Sequence, residues 1–230
     1  MSHLYEVEIK SLLGSKQNAD TLVANLKQYD PTIKRSTTQK QLNHYFNVPQ
    51  DRNILNGSLR KALTPFISSD KVASFDKILS EGVKLSVRTR DADGKVIFVI
   101  KASVGDDSSS NGVKRIEFES TLKMTLDELD QILLKAGLSY QAKWSRERDE
   151  YVSKDMHVCI DKNAGYGYLA EFEKVTPDEK ELDSVKNGLL GFMTKMGVAE
   201  LPQDRLERMF AYYNANWQKY YGTENIFNIE

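Results

Sequence analysis

The chain has 230 residues, 40% of them hydrophobic and 28% charged, with 32 Lys+Arg set against 33 Asp+Glu for a formal net charge of −1. That balance argues against a nucleic-acid wrapper or a membrane-surface protein, which carry a basic excess, and against an acidic solvating tail. One cysteine, Cys159, excludes an internal disulfide framework and a Cys-cluster zinc site, and His3, His44 and His157 are too scattered for a His-rich metal site. The segment Met1–Glu6 lacks a basic stretch followed by an apolar one, and the longest strongly apolar run, Val96–Ile100, is far short of the roughly 18 residues a membrane helix needs. A soluble, cytoplasmic protein is expected.

Short period-two segments recur along the chain, which favours an α+β protein with a sheet over a helical bundle. In Leu4–Ser11 the apolar Tyr5, Val7 and Ile9 alternate with Glu6, Glu8 and Lys10. Ser15–Asp30 then carries Leu22, Val23, Leu26 and Tyr29 on one helical stripe. Pro65–Gly82 is mixed and reads as an insertion, with a short helix around Val72–Leu79. In Val83–Arg90, Val83, Leu85 and Val87 share one face, and Lys84, Ser86, Arg88 and Arg90 the other. Gly105–Gly112 is a loop by composition and joins two strand candidates. In Val113–Ser120, Ile116 and Phe118 oppose Arg115, Glu117 and Glu119. Thr125-x-x-Glu128 is a capping box for a helix with Leu129, Ile132 and Leu133 that Gly137 ends. In Tyr168–Lys174, Tyr168, Ala170 and Phe172 oppose Leu169, Glu171 and Glu173. Thr176-Pro177-x-Glu179 has the form of a second capping box, opening a helix through Leu189, Leu190 and Met193 to Gly197. A last amphipathic stretch from about Gln203 to Tyr221 places Leu206, Met209, Phe210, Tyr213 and Trp217 at helical spacing. No repeat or linker divides the chain, so a single domain is the simpler expectation.

An ionised strand face ordinarily meets water. Here acids and bases recur at alternate positions in Glu6/Glu8/Lys10, Arg88/Arg90, Arg115/Glu117/Glu119, Arg146/Arg148 and Glu171/Glu173. Two carboxylates at such positions sit only about 7 Å apart, which is unfavourable unless a cation lies between them. Convergent carboxylates suit Mg²⁺ or Mn²⁺, and convergent guanidinium groups suit phosphate oxygens. If the sheet closes with its charged faces inward, the acids hold metal, the bases hold phosphates, and helices cover the apolar outer faces.

The order of these motifs carries a resemblance. Glu6-x-Glu8-x-Lys10 is followed by Gln41-x-Asn43-x-Tyr45-Phe46, Arg88-x-Arg90, Lys101, Arg115-x-Glu117-x-Glu119, Arg146-x-Arg148-x-x-Tyr151, Ile160-Asp161 and Glu171-x-Glu173. Over about residues 4–175 the series resembles the CYTH superfamily, the triphosphate tunnel metalloenzymes. The resemblance implies an eight-stranded antiparallel β-barrel with a charged lumen, and it makes residues 1–230 one CYTH-like domain, with covering helices over about 176–222. It implies a metal set of Glu6, Glu8, Glu117, Glu119, Asp161, Glu171 and Glu173, and a triphosphate-binding set of Lys10, Arg88, Arg90, Lys101, Arg115, Arg146 and Arg148. Lys143 competes with the Arg146/Arg148 pair. Glu6, Glu8 and Lys10 stand nearest the chemistry. One Mg²⁺ is implied at Glu171, Glu173 and part of the Glu117/Glu119 pair, and a second near Glu6 and Glu8. Asn43 stands where many relatives have Asp, and the insertion precedes the Arg88/Arg90 strand.

A small-molecule triphosphate is therefore the expected partner, with neither membrane nor nucleic acid. Three activities stay open: a triphosphate hydrolase, a class IV adenylate cyclase releasing pyrophosphate from ATP, and a non-catalytic triphosphate or polyphosphate binder. The full acidic set disfavours the last. His44 and His157 read as packing or surface residues, Cys159 as a small buried one, and the Phe210–Tyr221 aromatics as a packed helix face.

Overall fold

The computed structural model describes residues 5–49, 51–103, 115–153 and 156–229. Leu4, the Gly105–Gly112 connection and Val113 lie outside them. Among the described residues, eight strands and six α-helices follow in the order β1 (Tyr5–Gly14), α1 (Lys16–Tyr29), β2 (Lys34–Asn47), α2 (Arg52–Leu63), α3 (Ser69–Glu81), β3 (Val83–Ala92), β4 (Lys95–Ser103), β5 (Arg115–Thr121), α4 (Leu126–Lys135), β6 (Ser139–Ser153), β7 (Met156–Asn163), β8 (Gly167–Thr176), α5 (Leu182–Lys195) and α6 (Gln203–Asn216). The strands form one sheet ordered β1-β8-β7-β6-β2-β3-β4-β5. The α+β class and the eight antiparallel strands are as expected; among the described residues no ladder joins β1 to β5, so the sheet is not closed into the expected barrel. The chain divides into two compact units, one holding the described residues 5–39 and 145–229, the other the described residues 40–103 and 115–144.

In the first unit, β1 presents Val7, Ile9 and Leu13 to a core shared with Val158 and Ile160 of β7 and with Ala170 and Phe172 of β8. Helices α1 and α5 cover that face with Leu22, Leu26, Leu189 and Met193. The start of α1 follows from Ser15, whose hydroxyl accepts the Asn18 N–H at 3.2 Å. Tyr29, expected on the apolar stripe, is instead 55% exposed and sets its ring edge-on to Phe192. The second expected capping box does not form. Thr176 is the last residue of β8 and is still paired with Tyr5, so its backbone belongs to the sheet. Its hydroxyl donates to Glu181 at 2.8 Å, a single 3₁₀ turn intervenes, and α5 begins only at Leu182.

In the second unit the apolar faces of β3, β4 and β5 meet α2, α3 and α4. Leu55, Leu59 and Leu63 recur every four residues along α2 and pack with Phe75, Ile78 and Leu79 of α3 around Val87, Phe98, Ile100 and Phe118. The Phe75 ring lies 6.1 Å from Phe98 and 5.2 Å from Phe118. Pro65–Gly82, expected to be an insertion with one short helix, is thus part of a helical layer over the sheet; Pro65 sits in a 3₁₀ turn, and α3 fills the remainder. Val83 also departs from its expected face. Lys84 adopts a φ of 49° and the register slips between Val83 and Ser86, which leaves Val83 43% exposed while Leu85 and Val87 are buried. Strands β3 and β4 join through Asp93-Gly94, both at positive φ, the two-residue turn whose twist matches paired strands. The Thr125/Glu128 capping box forms as expected and opens α4, which buries Leu129 and Leu133.

Candidate active site

The ionised residues of the first unit fall on one sheet face because residues opposite each other in a ladder point the same way. Lys10 lies opposite Glu171 and Glu8 opposite Glu173 across β1 and β8; Cys159 lies opposite Glu171, and Arg148 opposite Asp161, across the next two ladders. Asp161 is buried and accepts from Arg146 Nη1 and from Arg148 Nε and Nη2, each at 2.7 Å. Arg148 Nη2 also donates to Glu171, and Lys10 Nζ contacts Glu8 and lies 3.4 Å from the other Glu171 oxygen. Burial alone would raise the Glu171 carboxyl, but Arg148, Lys10 and Arg146 hold it well below the usual carboxylate range.

Beside this ion-paired group, carboxylate oxygens of Glu6, Glu8 and Glu173 lie within 4.8 Å of one another, and Cys159, Glu171 and Glu173 offer donors equally close. The first set is all oxygen, the chemistry a hard divalent cation prefers. Cys159 is buried and its thiol is pushed up, first by burial and then by Glu173, Glu171 and Asp161, with Arg148 opposing. It remains a protonated thiol, in keeping with its expected role as a small buried residue. Five acids and three bases of the expected site occupy this unit, an excess of negative charge.

The second unit shows the opposite balance. Arg88 Nη1 donates to the Tyr45 hydroxyl at 2.9 Å, with the guanidinium 5.6 Å from the ring centre, and Nη2 lies 3.5 Å from Glu117. Arg90 Nε donates to Asn43 Oδ1 at 2.9 Å, and its Nη1 lies 3.3 Å from Glu119. Lys101 Nζ meets Glu117 at 3.0 Å. Burial opposes ionisation of Glu117, yet Lys101, Arg88 and Arg90 hold its carboxyl below the ordinary value. Among the described residues, Arg88 Nε is buried with no hydrogen-bond partner. Among the expected residues whose side chains are described here, three bases face two acids. The Arg115 side chain lies outside the described residues. Lys143, the competitor of Arg146 and Arg148, rests over the Tyr140 ring at 4.2 Å.

A family model for the CYTH domain matches residues 77–205, more than half of the chain. The chain belongs to the CYTH domain family. The matched span begins in α3 and ends in α6; Glu6, Glu8 and Lys10 of β1 lie outside it and pair with it through the β1–β8 ladder. Among solved structures, this CYTH chain is similar to the PH1819 protein of Pyrococcus horikoshii (TM-score 0.61, 16% identity, 90% of this chain and 99% of that one). It is also similar to a proposed adenylate cyclase from Vibrio parahaemolyticus (TM-score 0.60, 15% identity, 90% and 98%) and to a conserved protein from Pyrococcus furiosus (TM-score 0.57, 15% identity, 84% and 90%). At these identities the likeness is one of fold. A search of curated proteins finds no match. Among the described residues, no helix is long and apolar enough to cross a membrane.

Asp130 is a buried acid that the alternating strand faces do not reveal. This carboxylate is buried on α4, and its signal was a charged residue one turn after Leu126 and one turn before Leu133 and Leu134, within the helix's apolar stripe. His44, expected to be a packing residue, is buried against it, and His157 is exposed.

Proposed function

We propose that this CYTH protein is a divalent-metal-dependent triphosphate hydrolase acting on inorganic triphosphate or a small organic or nucleoside triphosphate. The observation that carries it is the sorting of charge: an acid-rich ladder with Glu6, Glu8 and Glu173 converging, and a base-rich set of Arg88, Arg90 and Lys101 with a spare buried donor on Arg88.

Glu6, Glu8 and Glu173 would hold Mg²⁺ or Mn²⁺, which when bound supplies Lewis-acid polarisation of a phosphoryl oxygen and an acidified water. Arg88, Arg90 and Lys101 exchange their glutamate partners for phosphate oxygens, and their fixed positive charge favours the transferred group as it gathers negative charge. Asp161 keeps Arg146 and Arg148 aimed. Lys10, held between Glu8 and Glu171, stands at the border of the acid cluster, where an ammonium stabilises the departing phosphate. Glu117 and Glu119 keep the second unit's bases in place until substrate displaces them.

Product identification across a panel of tripolyphosphate, thiamine triphosphate and ATP with Mg²⁺ tests this reading. Orthophosphate release from at least one of them is the expected result. Conversion of ATP to cyclic AMP and pyrophosphate without phosphate release would replace the hydrolase with a cyclase, and inactivity toward all three with a binding module.

A further inference from the structure

Behind the phosphate-side arginines lies a buried polar group that the proposed chemistry does not use. Asp130 of α4 is 1% exposed and accepts three hydrogen bonds: from His44 Nδ1 and the Tyr140 hydroxyl at its Oδ2, and from the Thr89 hydroxyl at its Oδ1, each at 2.6 Å. An ionised carboxylate only accepts, so His44 carries its proton on Nδ1. Burial pulls the Asp130 carboxyl upward, but the hydrogen bonds from His44, Thr89 and Tyr140 outweigh it and keep the group ionised.

The register makes the placement specific. Thr89 lies between Arg88 and Arg90 on β3, His44 lies between Asn43 and Tyr45 on β2, and His44 is the cross-strand partner of Thr89. The flanking pairs are Tyr45 with Arg88 and Asn43 with Arg90, the pairs whose side chains hydrogen-bond on the other face. Asp130 thus grips one residue of each strand, one oxygen per strand, at the point between the two arginine supports. We infer that Asp130, with His44 and Thr89, is a positioning clip that holds β2 and β3 so that Arg88 and Arg90 present a fixed pair of guanidinium groups to a polyanionic substrate. The inference deepens the proposed function and rests on it for the identity of that substrate.

Thr89→Val removes the hydroxyl at nearly constant shape, and Thr89→Ser restores it. The clip predicts that T89V raises KM for tripolyphosphate about tenfold, roughly the worth of one buried hydrogen bond to a charged group, with kcat within about twofold. T89S stays near wild type, and Leu133→Ala on the same helix lowers the melting temperature without moving KM. Solvent exchange of the Arg90 Nε–H, held by Asn43, should accelerate about fivefold or more in T89V by NMR and remain unchanged in L133A. The exchange readout needs no turnover: a wild-type protein inert toward tripolyphosphate, combined with faster exchange in T89V, would remove the substrate reading and leave the clip standing. Unchanged exchange in T89V, or equal KM shifts in T89V and L133A, would overturn the clip.

Discussion

Replacing Glu173 by Gln is expected to lower phosphate release from tripolyphosphate by on the order of a thousandfold, about the several kcal/mol of transition-state stabilisation that a bound divalent metal supplies. Glu173 is one of the three convergent carboxylates proposed to hold the cation, so its charge matters to metal binding. The sign of the stability change separates this outcome from unfolding. With no cation present, Glu6, Glu8 and Glu173 repel one another, and removing one charge relieves that repulsion. E173Q should therefore melt at or slightly above the wild-type temperature in chelator, and should lose the stabilisation that Mg²⁺ gives the wild type. Full activity in E173Q would remove this carboxylate from the metal site. Low activity accompanied by a large drop in melting temperature would make it a structural residue.

Arg148→Met is the second large effect. Arg148 makes two hydrogen bonds to buried Asp161 and another to Glu171, and removing one partner of a buried ion network leaves charge without compensation. Arg146 and Lys10 remain nearby, so a loss of about 3 kcal/mol is expected, at the low end for broken buried pairs. The urea midpoint at neutral pH reads it. A loss below about 1 kcal/mol would mean the group behaves as a solvated surface pair. The pH dependence carries a sign as well. Glu171 is held below its ordinary value, so its contribution is fully present above the unfolded carboxylate pKa and disappears as pH falls through the lowered folded one. Because Arg148 is the strongest of the charges holding Glu171 down, the variant should lose less stability than the wild type on acidification over that window.

Much of the charged face was legible because a strand's period of two is visible wherever ionised and apolar residues alternate. Glu6-Glu8-Lys10 and Glu171-Glu173 stand out against Val7, Ile9, Ala170 and Phe172, and the structure places the two sets in adjacent strands. The Thr125/Glu128 capping box was equally readable, since both partners are local. The Thr176 box failed for the opposite reason: the same residues can finish a strand, and only pairing with Tyr5 shows which use prevails. Helix α2 was missed because Leu55, Leu59 and Leu63 are thinly spaced among polar residues, and their meaning depends on the sheet they cover. Val83 was misplaced because the bulge that breaks the alternation has its positive φ at a lysine, Lys84, a residue type that does not signal it. How acids and bases pair could not be read from alternation either. Asp161 binds Arg146 and Arg148, while Glu173 sides with Glu6 and Glu8, because register decides which neighbours meet.

Metal removal tests the central claim most directly. Protein dialysed against chelator and supplied with tripolyphosphate should release no phosphate, and adding Mg²⁺ or Mn²⁺ should restore release in the wild type but not in E173Q. Undiminished phosphate release in excess chelator would contradict the assignment of the acid cluster to a divalent cation.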